Sequence, residues 1–311
     1  MKVEIPENLK SDLPQTTFGK ILSATPVVMA VVATMLAGLA SSEMTRAQYE
    51  RSLGAQQQAK AGDQWSFFQA KRLRGALQLN SVDLLENVVE VRPLDVAAIQ
   101  GALAGTDTGK ALATDAGKQA LEALREGEAP APPEQADLDP KIKAAIQGYE
   151  ALVSDSEMAR LLAQFTDDSL EKALKTARDQ TQAFDATTKP VNTLIDQIDR
   201  GLSPQNATGK PLCRDFSAAR LRYNASRYEI EARLNQVIAN LYELQVRKSN
   251  LSAARHHVRS QWFFFGMLGA QAGVIISTFA MAARKRNLLW SLAAGAGIIA
   301  IAFAIYVYLY M

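Results

Sequence analysis

The sequence predicts an all-α membrane protein, with three transmembrane helices and a long antiparallel helical, coiled-coil extramembrane domain. Three observations predict it. Residues 262–283 and 287–311 carry no charged side chain, and each run exceeds the roughly 20 apolar residues that cross a hydrocarbon core of about 30 Å. Residues 21–40 are equally free of charge. The stretch 41–261 is polar enough to live in water and shows neither an internal repeat nor an alternating strand pattern. The expected order is therefore an N-terminal segment 1–20, a first span 21–40, a helical domain 41–261, and two further spans at 262–283 and 287–310.

The first span has one competitor. Lys2, Lys10 and Lys20 precede it and Gly38-Leu39-Ala40 closes it, as in a cleaved secretion signal. Glu4, Glu7 and Asp12 in the leader and the length of the apolar run favour a retained anchor. Pro26 falls in the first turns, where a kink costs least. From Ser42 to Leu79 the chain has no proline and is rich in good helix formers, so one long helix is expected to continue the span, on the order of 55 Å long.

Between Asn80 and Gly127 the pattern weakens. Val88, Val89 and Val91 before Pro93 read as a short extended piece or a turn. Leu94–Leu103 and Lys110–Arg125 read as short helices separated by Gly105-Thr106-Asp107. The proline- and acid-rich stretch 126–140 predicts a mobile, extended linker. Beyond it come a short helix at Lys141–Leu152 and another capped by Ser154 or Ser156. A longer helix opens at Asp167-Asp168 and runs towards Pro190, with helical pattern resuming over Asn192–Leu202 and Gly201 placed to end it.

Arg214–Gln261 is the second long helix, about 70 Å if straight. Leu234, Val237, Leu241, Leu244, Lys248 and Leu251 recur in it at alternating steps of three and four, a coiled-coil seam broken at Lys248. The seam faces either Ser42–Leu79 running antiparallel or a second copy of the chain.

The clip Arg284-Lys285-Arg286 between the last two spans is the kind of short basic loop that stays in the cytoplasm. It places 41–261 outside, periplasmic in a bacterial inner membrane. Arg46, Arg51, Arg255 and Arg259 lie near membrane ends on the other side and oppose that orientation.

Composition excludes several functions. The formal net charge of +2 implies no large basic surface, so nucleic acid is not expected as a partner. One cysteine, Cys213, and two histidines leave no disulfide framework and little metal chemistry. The stretch Gly105–Ala111 has the outline of a phosphate loop, but its spacing is one residue short and Ala111 replaces the metal-binding hydroxyl. It reads as a helix-joining turn. His256 and His257 point about 100° apart on a helix, which suits a polar pair at headgroup level better than one metal or haem site. Asp167-Asp168 with Glu171 reads as acids at a helix N-terminus rather than a divalent site. No catalytic, cofactor-binding or metal residue is expected.

No span contains Asp, Glu, Lys, Arg or His, which argues against a coupled transporter. Gly269, Gln271 and Gly273 on one span, with Ala296, Ala300 and Ala304 on the next, form small-residue faces for close packing, and Gln271 could add an interhelical hydrogen bond.

The most distinctive string is Asp63-Gln64-Trp65-Ser66-Phe67-Phe68-Gln69-Ala70-Lys71-Arg72. Its three aromatics cover more of the helix than one seam needs. Trp65 and Phe68 can fill one interface while Phe67 faces another, either as a packing knot or as a docking face. With the span before it and the basic clip near the C-terminus, this string resembles an uncharacterised bacterial membrane family, the domain-of-unknown-function family numbered 4337. Asp63, Trp65, Phe67, Phe68, Gln69, Ala70 and Lys71 carry the likeness. The family implies an architecture and no activity, cofactor or catalytic residue. The middle, about Asn80–Leu212, is longer than the family leads one to expect.

The expected function is that of a non-enzymatic, membrane-anchored helical scaffold or accessory subunit. Its partners are the lipid bilayer, other copies of itself and other membrane subunits. The alternative is a pore or transporter component formed by oligomerisation of the C-terminal hairpin.

Overall fold

The structure, a computed structural model, describes residues 17–132, 138–202, 209–282 and 286–310. The N-terminal residues 1–16, the centre of the predicted linker, and Arg284 and Lys285 of the clip lie outside the described residues, as does the side chain of Arg286. Among the described residues all regular structure is helical: α1 (Thr17–Val88), α2 (Val96–Ala102), α3 (Asp107–Leu112), α4 (Asp115–Glu126), α5 (Pro140–Glu150), α6 (Asp155–Leu162), α7 (Asp167–Gly201), α8 (Gly209–Ala282) and α9 (Arg286–Tyr310). Three of them, α1, α8 and α9, are long and apolar enough to cross a membrane by length and composition.

Both long helices outrun the expected ranges. α1 continues nine residues past Leu79, so Val88 is its last residue rather than part of an extended piece. The predicted helix Lys110–Arg125 is two helices, because Thr114 leaves helical geometry to cap α4 through the amide of Gly117. Pro190 does not interrupt α7. An interior proline removes one backbone bond and costs about 3 kcal/mol. Phe184, Val191, Leu194, Ile195 and Ile198, all buried on α7, offset that cost. Gly201 is the last residue of α7 rather than a left-handed cap, and a Cβ there would strike Leu103.

The chain divides into two compact units, one holding Met1–Gly54 with Ser249–Met311, the other Ala55–Lys248. Both take part of α1 and part of α8.

In the unit 55–248, α8 is the central strut. Glu86 of α1 pairs with Arg222, Lys71 with Glu231, and Gln58 with Glu243, so α1 runs antiparallel to it. From α7, Arg178 meets Tyr242 and Asn192 accepts from the Tyr223 hydroxyl (2.6 Å). Glu150 of α5 accepts from Asn240 (3.0 Å). A core of Ile99, Leu112, Leu121, Leu124, Ile198 and Phe216 joins α2, α3, α4, α7 and α8.

The start of the predicted linker is anchored rather than free. Gly127 (φ +71°) ends α4 in the left-handed region, and the Ala129 amide donates to Ser226 of α8 (3.1 Å). Asp139 then caps α5, with Pro140 in its first turn.

In the other unit α1, α8 and α9 pack as three helices around Met29, Leu36, Phe263, Ala300 and Val307. The close approaches come at Gly273 and Gly297, where an added Cβ would overlap Met29, and at Gly266, beside Leu36 and Phe303. The Trp290 indole donates to the Thr25 hydroxyl (2.9 Å).

Candidate functional site

Within each unit the α1–α8 contact carries a polar centre set into a seam of small residues. On α1 small residues fall at seven-residue spacing, at Ala33, Ala40, Ala47, Gly54, Ala61 and Gly75, all of them buried, with Phe68 interrupting the row. On α8 Ala218, Ala225, Ala232, Ala239, Ala253 and Ser260 keep the same spacing, with Val246 interrupting it. A seven-residue apolar period keeps one face turned to a partner helix, and small side chains on it let two backbones approach. In the unit 55–248, a Cβ placed on Gly75 would lie only 3.6 Å from the Ala225 carbonyl.

This changes the reading of the leucine seam. Leu234, Leu241 and Leu244 are buried and Val237 is half-buried, but they do not form the face that meets α1. Lys248, their polar neighbour on the seam, donates to the Phe165 carbonyl (3.0 Å) and pairs with Asp167 (2.8 Å). That face looks towards the α6–α7 junction, and α1 packs on the alanine face. Leu251, half-buried, falls in the other unit.

Trp65 and Phe68 are half-buried and meet edge to face with centroids 5.5 Å apart, while Phe67 is 53% exposed. Gln69 is exposed. Lys71 points inward to Glu231, whose side chain is 9% exposed. Arg227 approaches the same carboxylate (3.7 Å), and Lys71 and Arg227 both lie over the Tyr228 ring, 5.5 and 4.6 Å from its centre. Two cations sharing one carboxylate and one ring make a nearly dry ionic link between α1 and α8. Asp185 on α7 stands beside this cluster. Loss of solvation and then the Glu231 charge push its carboxyl up, against the pull of Lys71 and Arg227.

The second polar centre lies in the other unit. His256 Nδ1 is 2.6 Å from Glu43 Oε2, both groups largely buried, and Arg46 approaches Glu43 from the solvent side (3.4 Å). The Ser260 hydroxyl donates to the Ala40 carbonyl (2.7 Å). His257 turns away from this pair and contacts Gln261 (3.3 Å). The two histidines thus diverge, as adjacent helical positions must.

Of the transmembrane packing residues, Gly273 and Ala300 are buried at the three-helix contact, and Ala304 packs against it. Ala296 is half-buried. Gln271 is exposed and a Cβ on Gly269 would meet nothing within 4 Å, so neither serves the close approach. The five-residue small motif has one working member because its two ends, four residues apart, straddle the edge of the contact.

The remaining candidates are structural. Gly105 (φ +81°) and the Thr106 cap form the turn from α2 into α3, where Lys110 pairs with Asp107 (3.0 Å). Asp167 and Asp168 occupy the first turn of α7 behind the Thr166 cap. Among the described residues no group of three His, Cys, Asp or Glu side chains could hold a metal ion.

The residues that sequence reasoning missed are Glu43, Tyr228 and Glu231. Glu43 stands three residues past Ala40 and His256 three past Ala253, the same phase of the two small-residue repeats, so this pair was legible once the repeat was noticed.

Residues 18–123 match the protein family described as "Domain of unknown function (DUF4337)". The match takes in the aromatic string and most of α1, and it ends within α4. Over this stretch the chain shares that family's sequence pattern, as the string's likeness implied. No curated protein and no solved structure matches the chain.

Proposed function

We propose that this protein is a non-enzymatic, membrane-anchored helical scaffold or accessory subunit of a larger membrane assembly. One observation supports it above the others. On α1, in the unit 55–248, Phe67, Leu73, Leu77, Leu84 and Val88 are exposed by between 53% and 79%. At about 100° per residue the last four fall within one narrow arc, opposite the face that Ala61, Gly75 and Val82 bury against α8. A row of exposed large apolar side chains on a water-facing helix is what a helical partner covers. Homo-oligomerisation and association with other membrane subunits both fit this reading.

The proposed setting is a bacterial inner membrane with 41–261 on the extracytoplasmic side, for which the basic clip 284–286 is the argument. A membrane-impermeant maleimide tests the side through Cys213, which is half-buried and the sole thiol. Labelling in intact cells whose outer barrier is opened supports the outside placement. Labelling only after the inner membrane is breached reverses it.

The scaffold reading itself is tested by light scattering after gentle extraction. A stable complex, homomeric or mixed, is expected, and substitution of Leu77 and Leu84 by Glu should dissociate it. A partnerless monomer in every mild detergent tried ends the proposal. The pore reading draws on Gln271, which is exposed within an otherwise apolar span and available to line a lumen among several copies. Ion flux through vesicles holding the purified chain supports it, and tight vesicles remove it.

A further inference from the structure

A groove of about 600 Å³ lies between residues 37–44 of α1 and 257–267 of α8, all in one unit. The Ser260–Ala40 hydrogen bond sets the antiparallel register there and so orders the groove's walls. One end is apolar, walled by Ala37, Phe264, Phe265 and Met267. The other carries Ser41, His257 and Gln261, the last two in contact with each other (3.3 Å). Polarity therefore changes along the groove over about 10–15 Å. The apolar end falls within the uncharged runs 21–40 and 262–283, and the polar end beside the first charged residues that follow them. Arg51 is exposed on the same side of α1 as Met44, two helical turns further on. The lining holds no Asp, Glu, Lys or Arg, which disfavours a free anion or a metal ion as occupant. The gradient is that of an amphiphile standing at a membrane interface.

We propose that this groove holds one acyl chain of a membrane glycerophospholipid. The chain lies against Phe264, Phe265 and Met267. The ester region meets Ser41, His257 and Gln261, and the phosphate stands on the side of Arg51. The assignment rests on reading 21–40 and 262–283 as membrane spans.

The test uses the full chain in vesicles of phosphatidylcholine and phosphatidylglycerol. A trace of phosphatidylcholine carries a photoactivatable diazirine in mid-chain, and the adducts are mapped by mass spectrometry. Val31 and Ile299, exposed on the spans outside the groove, report ordinary lipid contact. Adducts on Phe264, Phe265 and Met267 should exceed those on Val31 and Ile299 several-fold. Ser41→Trp, which plugs the polar end from an exposed position, should lower the groove adducts several-fold and leave the reference positions unchanged. His257→Ala should lower them less. Equal labelling of groove and reference positions in the unaltered chain overturns the proposal, as does groove labelling that survives both substitutions in variants that melt normally. Absence of adducts at Val31 and Ile299 as well would overturn the membrane reading with it.

Discussion

The two compact units use different parts of the same two helices and set them in different surroundings. In the unit that contains the N-terminal and C-terminal residues, the outward faces of α1 and α8 are apolar over the uncharged runs 21–40 and 262–282, with Val28, Val31, Ile275 and Phe279 all exposed. In the unit 55–248 the outward positions of α1 mix Lys60, Asp63, Arg72 and Arg74 with the apolar row of Phe67, Leu77 and Leu84. The contact between the helices is nevertheless built alike in both units: small residues at seven-residue spacing, interrupted at Phe68 and Val246, and a buried carboxylate paired with a basic side chain. Lipid tails offer no hydrophobic drive to pair helices, whereas water does. A small-residue seam works in either medium because it relies on close packing. The contrast teaches that the pairing face can keep one design while the opposite face changes its polarity.

The largest expected effect sharpens the comparison at the carboxylates. Glu231→Ala strands Lys71 and Arg227 over Tyr228 with little water and should cost about 3 kcal/mol, the lower end for a broken buried pair. In the other unit Glu43→Ala leaves His256 without its one short carboxylate contact and should cost about 1–2 kcal/mol. Thermal melts in detergent followed by circular dichroism compare the two, and equal losses would break the distinction.

Gly117→Ala comes next. A Cβ there would enter the Leu112 backbone, which cannot give way as a side chain can, so about 1–3 kcal/mol should be lost. Gly75→Ala makes only ordinary contacts and should gain up to about 1 kcal/mol from helix propensity. A destabilised Gly75→Ala would show that the helices approach more closely at that seam than its contacts imply.

Alkali probes the unit 55–248 through Tyr223. Burial pushes the Tyr223 hydroxyl up to about 12, with Arg227 pulling it down and Glu231 and Asp196 adding to the rise. The unfolded chain releases this proton first, near its ordinary value of 10, so stability present below pH 10 is lost as pH rises to about 12. The loss should be on the order of 2 kcal/mol, and Tyr223→Phe should flatten that part of the curve. An unchanged slope in the variant would assign the alkaline loss elsewhere.

The smallest effect on stability is expected on the outward face. Phe67→Ala, at a half-exposed position, should change the melt by less than about 0.5 kcal/mol while weakening any complex that uses this face. A large loss of stability would mean that Phe67 packs within its own unit.

Helix content, the three apolar spans and the cap at Ser154 follow from residues near one another in the chain. Local propensity and periodicity are short-range properties, so the sequence by itself determined them. It also held the small-residue repeat, which was legible but overshadowed by the bulkier leucines of α8. Tertiary structure alone decided which face of α8 meets α1, that Lys71 finds Glu231 and His256 finds Glu43, and that Pro190 sits inside an unbroken helix. It also decided that Gln271 lies outside the three-helix contact. The two ion pairs join groups 160 and 213 residues apart, and the other features depend on long-range packing or on burial strong enough to override a local cost. No local pattern carries that information, because it is the packed neighbour that sets the sign of the energy.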